Sequence, residues 1–162
     1  MYEVIGESVK SAVSIKLGDI FRVATTQNGQ TTYVYPKRYK EAVTNIQYPN
    51  FFIYQVSLDI TPDTRNRWNL DYLMNVRYRY VEDVETVTNI EQQLDAVGLK
   101  LLTEFTEIQL ERPVRVKNAR YEKADGVLQF FFNVPVRIQR ELTAEQKMEI
   151  LSLNERLKKE DE

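Results

Sequence analysis

The sequence predicts an α+β fold: an antiparallel sheet of about four strands, arranged as two hairpins, with N-terminal, central and C-terminal helices packed mainly on one face. Two blocks of alternating apolar and polar residues predict the strands, and segments with helical spacing come before, between and after them. With 162 residues, 43% of them hydrophobic and 28% charged, the chain can bury the core of one globular domain. We divide it into an α+β domain, residues 1–142, and a C-terminal amphipathic helix with a charged tail, residues 143–162.

Three segments have the apolar spacing of an amphipathic helix. Residues 3–21 and 88–105 repeat apolar side chains every three or four positions. Gly98, inside the second segment, costs about 1 kcal/mol relative to alanine, which indicates close packing against a neighbour. A third helix is predicted from Thr143, because Thr143 and Gln146 have the spacing of a capping box and an apolar stripe follows them.

The first strand block follows a segment with weaker signals. Asn28-Gly29, in the polar loop 25–32, is typical of a hairpin turn, and a β-prone run then ends at Pro36. Residues 37–47 fit either a turn of helix or a loop. Residues 51–60 and 69–81 are predicted as two antiparallel strands. On the first of them we expect Phe51 and Ile53 to face outwards, and the more apolar row to face the core; that row is Phe52, Tyr54, Val56, Leu58 and Ile60.

The second strand block contains the most informative segment, residues 125–138. It opens on the turn signal Asp125-Gly126 and is predicted to pair with residues 114–122 as a hairpin. One row of this strand is fully apolar, and Phe131 adds an aromatic side chain to the other row. Pro135 cannot donate a ladder hydrogen bond, so the strand is expected to be an edge or to bulge there. Because the strand is so apolar, we expect both of its faces to be buried, and another subunit could provide part of this cover.

The composition removes most enzyme chemistries. The chain has no histidine and no cysteine, so it lacks the commonest general base, the thiol nucleophile and the usual zinc ligands. Its glycines form no phosphate-binding loop. Glu82, Asp83 and Glu85 could hold a divalent metal or form a solvated loop, and Asp59 and Asp71 could form an acid–base pair or face solvent. We expect no enzyme activity, no cofactor and no metal.

Membrane and nucleic-acid partners are not favoured by the sequence. It has no signal-peptide pattern, and no apolar run approaches the ~20 residues of a membrane span, so we expect folding in a cytoplasm. The formal charge of −2 argues against nucleic-acid binding through bulk electrostatics. Basic and aromatic side chains on the two hairpins could still stack a single strand. However, period-two counting places Tyr72, Tyr78 and Tyr80 opposite Arg77 and Arg79, which assigns these tyrosines to the core.

Aromatic side chains on the expected outer rows can be covered by a helix of the same chain or by another subunit. The second alternative predicts a subunit interface formed by the two hairpins. Its residues would make contacts and take no part in catalysis. The predicted interface residues are Phe51, Ile53, Arg65, Arg67, Arg77, Arg79, Phe131 and Arg137.

Two strand motifs carry a resemblance to a known family. They are Pro49-Asn50-Phe51-Phe52-Ile53 and Asp125-Gly126-Val127-Leu128-Gln129-Phe130-Phe131, with Arg67, Tyr72, Val76 and Tyr78 between them. Over about residues 5–140, in the order helix, hairpin, helix, hairpin, the chain resembles the tail terminator (tail completion) family of tailed bacteriophages, in the version common in phages and prophages of Gram-positive bacteria. It departs from that pattern at Val81, where the strand lacks an aromatic-proline ending, and in its longer segments 22–45 and 143–162.

The resemblance implies a structural virion protein at the head-proximal end of a phage or tailocin tail, which is contractile in some members. Such proteins form a ring, usually a homo-hexamer, that caps the tail tube, stops tube and sheath polymerisation and provides the neck-joining surface. The implied partners are the tail tube protein, the sheath protein and neck or connector proteins, with DNA only as passing cargo in the lumen. The alternatives are another neck or tail completion ring, or a small nucleic-acid-binding module.

Overall fold

The computed structural model of the chain describes residues 2–81 and 89–139. Its main sheet has five strands in the order β3-β4-β5-β9-β8, and two separate two-stranded ribbons are formed by β1-β2 and by β6-β7. The helices and strands are α1 (Tyr2–Phe21), β1 (Val23–Gln27), β2 (Gln30–Val34), β3 (Lys37–Tyr39), β4 (Asn50–Thr64), β5 (Arg67–Arg79), α2 (Ile90–Glu104), β6 (Glu107–Gln109), β7 (Pro113–Arg115), β8 (Lys117–Ala124) and β9 (Val127–Gln139).

The N-terminal and central helices are confirmed, within a few residues of their predicted ends. The apolar stripe of α1 is buried at Val9, Val13 and Leu17, and that of α2 at Leu94 and Leu101. These side chains recur at helical spacing, which is why each helix buries one side only. The third predicted helix, from Thr143, and the predicted domain boundary before it lie outside the described residues. Neither described helix combines the length and apolar character that crossing a bilayer requires.

The sheet differs from the prediction of about four antiparallel strands. A fifth strand, β3, lies at its edge and pairs parallel with β4, from Lys37 beside Asn50 to Tyr39 beside Phe52. This strand has three residues, too few to show a period of two, so the sequence left its segment open between helix and loop. The ribbon of β6 and β7 was also not predicted, for the same reason. The main sheet is therefore mixed, with an α+β organisation.

Both predicted turn signals form tight hairpins. Asn28 and Gly29 have φ of 52° and 77°, and Asp125 and Gly126 have φ of 52° and 72°. Two successive residues in the left-handed region match the twist of antiparallel strands, which is why Asn-Gly and Asp-Gly favour this turn. In the second hairpin, Tyr121 lies opposite Phe130 and Ala124 opposite Val127.

Both described helices cover the same face of the main sheet, which we call the inner face. At the α1 side, the Phe21 ring lies 4.9 Å from that of Phe51. After α2, the Phe105 ring lies 5.6 Å from Phe130 and 4.8 Å from Phe132. This aromatic core confirms the expectation of helices mainly on one face. We call the opposite face the outer face; no described helix lies over it.

The face assignment of β4 was wrong. Phe51 and Ile53 are each 1% exposed and belong to the core, whereas Tyr54 and Val56 are 40% and 52% exposed. The prediction put the more apolar row inside; the structure puts the row that starts with Phe51 under α1. For β5 the assignment was correct, because Tyr72 and Tyr78 are buried.

The chain divides into two compact units, Met1–Asp59 with Asp71–Val136 and Ile60–Leu70 with Arg137–Glu162. The first contains both described helices and the aromatic core. In the second, Arg137 Nε donates to Asn69 Oδ1 at 3.2 Å and lies 3.8 Å from an Asp63 carboxylate oxygen. These contacts hold the tip of the β4–β5 hairpin to the end of β9.

Close packing of α2 on β8 explains Gly98. A Cβ built on Gly98 would lie 2.9 Å from ring carbons of Tyr121, whose hydroxyl donates to Asp95 at 3.3 Å. The Lys123 ammonium lies 2.8 Å from Glu91 and 2.9 Å from Asp95, and the hydrogen bonds to these carboxylates, Glu91 first, raise the pKa of Lys123. The aromatic ring of Tyr121 on β8 thus packs directly against the backbone of α2 at Gly98.

Gly98→Ala is expected to lower the free energy of unfolding by about 1–2 kcal/mol, because the clash with Tyr121 outweighs the gain in helix propensity. In a Tyr121→Ala background the same substitution should stabilise, since the ring is gone. Urea unfolding of the four chains of this double-mutant cycle measures the coupling. Equal effects of Gly98→Ala in both backgrounds would contradict the contact.

Because Tyr78 is buried, we expect the free energy of unfolding to fall at alkaline pH. Burial and, to a smaller extent, the charge of Tyr80 raise the pKa of Tyr78 to about 12. An unfolded tyrosine has a pKa near 10, so the stabilisation is complete below about pH 10 and is lost as pH rises towards 12. Tyr78→Phe should flatten this part of the stability profile in urea unfolding. Tyr33→Phe is the control, because Tyr33 is 46% exposed, and it should keep the wild-type profile.

Candidate functional site

The outer face of β4 carries an apolar row that the described helices do not cover. The row consists of Phe52, Tyr54, Val56 and Leu58, and we call it the β4 row. Its middle is the most exposed part, with Tyr54 at 40% and Val56 at 52%, while Phe52 and Leu58 are half-buried. The Phe52 ring stacks on Tyr54 with centroids 5.9 Å apart and contacts Tyr39 of β3 at 5.1 Å. Four consecutive outward apolar side chains form a continuous strip.

Polar side chains that pair across strands occupy part of the rest of the outer face, beside apolar residues such as Phe131. Asn75 Nδ2 donates to Gln129 Oε1 at 3.3 Å, and Asn133 Nδ2 lies 3.3 Å from both carboxylate oxygens of Asp71. Asn75 is 3% exposed, so the first of these pairs is well packed. These pairs engage polar groups of neighbouring strands, whereas Asn75 Oδ1 and Arg77 Nε are buried without a hydrogen-bond partner among the described residues.

Two arginines lie over aromatic rings of the outer face. The Arg77 guanidinium is 4.8 Å from the Tyr54 ring centroid, and that of Arg120 is 4.5 Å from the Phe131 centroid. Arg120 also pairs with Glu122 on its own strand. Such cation–π contacts are worth about 0.5–1 kcal/mol at exposed sites and orient each arginine across the sheet.

The β1–β2 ribbon is a second uncovered surface. All its strand residues are exposed, with Val23 at 62% and Val34 at 60%. From Val23 to Pro36 the chain has no charged residue. A two-stranded ribbon alone is marginally stable in water, so a fully exposed one is typical of a segment that packs on something else.

The eight predicted interface residues fall into three groups. Phe51 and Ile53 lie in the core, so their side chains are not available on the surface of the folded chain. Arg77 and Phe131 lie on the outer face, each in a cation–π contact, and Arg79 is exposed near the end of β5. The other three belong to the second unit: Arg65, Arg67 and Arg137. The predicted interface as a whole stays a prediction.

The period-two argument holds within β5, yet basic and aromatic side chains of neighbouring strands share the outer face. That argument compared residues within β5, where Tyr72 and Tyr78 are indeed buried and opposite Arg77. Arg77 instead meets Tyr54 of the neighbouring strand. A nucleic-acid base stacks on an open ring face. Here the guanidinium lies over the ring, so the arrangement does not provide a free stacking platform.

The candidate chemical groups do not come together in the described part of the chain. Asp71 is engaged by Asn133, and Asp59 is exposed in the second half of β4. Among residues 2–81 and 89–139, no three acidic side chains are grouped so that they could hold a metal ion. The predicted cluster of Glu82, Asp83 and Glu85 lies outside these residues.

Sequence reasoning missed the β4 row and the β1–β2 ribbon as surfaces. The signal for the ribbon was the absence of charge from Val23 to Pro36 in a chain with 28% charged residues. For β4, the signal was that both rows begin with aromatic or branched side chains, so both faces need cover.

Two uncovered strips, one apolar and one uncharged, define a small α+β protein with surfaces suited to protein contacts. Comparison with protein families agrees with this class: the model described as phage tail terminator protein matches residues 8–146. The chain therefore belongs to the phage tail terminator family, and it is a structural component of a phage tail. A search of curated proteins found no significant match.

The opposite burial of the two β4 rows gives a matched pair of variants. Phe51→Ala should lower the free energy of unfolding by about 3–5 kcal/mol, because it leaves a cavity under α1. Val56→Ala should change it by less than about 0.5 kcal/mol in the isolated chain, because the side chain is half exposed. Chemical unfolding of both variants at low protein concentration measures this. Similar losses for the two would show that both rows are buried.

Proposed function

We propose that copies of this chain form a closed ring, a homo-hexamer, at the head-proximal end of the tail tube. The ring stops further addition of tube subunits, and of sheath subunits where the tail contracts, and offers the surface that joins the neck. Family membership supports the tail assignment, and the observation that carries the ring is the uncovered β4 row. The role is one of contact, without catalysis, metal or cofactor.

A closed ring requires two different patches on each copy, because a head-to-tail contact joins unlike surfaces. The β4 row and the β1–β2 ribbon are two such patches on different elements. An exposed apolar strip is costly in water and is suited to a permanent contact. A ring made of this chain can hide it in every copy.

The charge balance suits passage of DNA through a ring. With 22 basic and 24 acidic residues, the chain has a formal charge of −2. Strong basic contacts to phosphates release condensed counterions and so hold DNA tightly, and these contacts would have to break at each step of its passage. A nearly neutral protein surface avoids this drag while still permitting self-association.

Tail assembly with and without the chain tests the proposal. Inactivating its gene in the phage or tailocin that encodes it should give tubes longer than the wild-type distribution, and phage tails should fail to join heads. Supplying the chain in trans should restore both properties, as seen by electron microscopy. An Ile15→Ala chain is the matched control and should restore them equally, because this exposed side chain lies on α1, outside both patches.

Tubes of normal length without the chain would refute the terminating role. Native mass spectrometry of the purified chain, alone and with isolated tubes, should detect a sixfold assembly. A strict monomer that never binds tubes would count against the ring. Salt-dependent retention of single-stranded DNA that is lost in Arg77→Glu would favour a nucleic-acid-binding module instead.

A further inference from the structure

The strongest unassigned feature is the pair of uncovered strips on the first unit, the β1–β2 ribbon and the β4 row. Val23 and Val34 are 62% and 60% exposed, and Val56 is 52% exposed. Each strip is therefore exposed in a single chain, and they do not cover each other there. Each copy thus carries one uncharged ribbon and one apolar row that residues 2–81 and 89–139 leave exposed.

One side of the ribbon matches the β4 row in chemistry. Val23 lies opposite Val34, and Thr25 opposite Thr32, so these four side chains share one side of the ribbon. The Thr32 hydroxyl donates to the Thr25 carbonyl oxygen at 3.3 Å, which leaves its methyl group for apolar contact. We call this side the valine side. It can be buried without stranding the Thr32 hydroxyl.

The other side of the ribbon is less suitable for an apolar contact. It carries Tyr33, over whose ring the Arg22 guanidinium lies at 4.3 Å. Burying that side would also bury a charge, which is costly without a partner. The valine side is therefore the side that packs.

Length and charge are also compatible. The four steps from Val23 to Gln27 make the ribbon about 14 Å long, and the six steps from Phe52 to Leu58 span about 20 Å, so the ribbon fits within the row. Neither the segment from Val23 to Pro36 nor that from Phe51 to Leu58 contains a charged residue. Two β surfaces of these lengths can pack face to face at about 10 Å. The Arg77 guanidinium already lies over Tyr54 beside the row. The valine side brings no second cation to it, whereas the Tyr33 side would bring Arg22.

We infer that the valine side of the β1–β2 ribbon of one copy packs on the β4 row of the next copy. This inference rests on the proposed ring, and it names the two unlike patches of the ring contact. The occupant is a second copy because both halves are present on the same chain, on different elements, once each. In a closed ring, every copy makes this contact on both sides, so both strips are buried in all copies. An incomplete ring would leave one strip exposed at each of its two ends.

The absence of cysteine in the sequence permits a clean cross-linking test. Two single-cysteine chains, Val34→Cys and Val56→Cys, are mixed with and without isolated tail tubes and treated with a short bis-maleimide, which tolerates a small shift in register. The mixture should give on the order of tenfold more cross-linked dimer than either chain alone, because the contact raises the effective concentration of the pair.

Ile15→Cys mixed with Val56→Cys is the matched control. Ile15 is 62% exposed, as accessible as Val34, but it lies on α1. This mixture should give only background dimer. All three positions are exposed, so the variants should fold, and circular dichroism checks that they do.

Three outcomes would overturn the inference: a Val34→Cys product with the tube protein in place of a second copy, dimers formed mainly by Val56→Cys alone, or equal yields in the Ile15→Cys control. The native mass and the tube-capping activity of the wild-type chain, measured in parallel, separate the two proposals. Rings without the cross-link refute this contact and leave the ring intact. Absence of rings and of capping refutes both.

Discussion

One-sided cover of the main sheet is the constraint on which the rest of the structure depends. Both described helices pack on the inner face. There the Phe51 ring lies against those of Phe21 and Tyr78. A second aromatic cluster joins Phe105 to Phe130 and Phe132. In the described part of the chain, no helix lies over the outer face. Cross-strand polar pairs such as Asn75–Gln129 occupy part of it. The β4 row has no such pairs and leaves Tyr54 and Val56 exposed, which is typical of a surface that packs on another molecule.

Membership of the tail terminator family explains why one face of the sheet can be left exposed in the single chain: a tail protein packs on other tail proteins. The proposed ring would bind its own copies and its neighbours through broad surfaces. Gly98 under the Tyr121 ring and the ion pairs of Lys123 make the helix–sheet layer tight. Such a layer is a rigid support for contact surfaces. The exposed β1–β2 ribbon, by contrast, is stabilised by few contacts within its own chain, and packing on a partner would stabilise it.

Much of the fold could be predicted from the sequence because its long elements have strong periods. The helical stripe around Val13 and Leu17 and the buried row of Tyr72 and Tyr78 follow directly from spacing. Period alone could not choose the covered face of β4, because Phe51 and Ile53 compete with Tyr54 and Val56. The usual assumption that the more apolar row points inwards failed there. The edge strand at Lys37–Tyr39 has too few residues for any period, and it is specified by pairing with β4 instead.

The candidate site, like the fold, could be predicted from the sequence only in part. Sequence reasoning expected surplus apolar surface on the hairpins, but it chose Phe51 and Ile53, which α1 covers. The most direct test of the account is a density map of the assembled tail that traces this chain. We expect a ring of six copies at the head-proximal end, with a neighbouring copy lying over Tyr54 and Val56. A map in which those side chains face solvent or the lumen, or in which the chain lies elsewhere along the tail, would contradict the account.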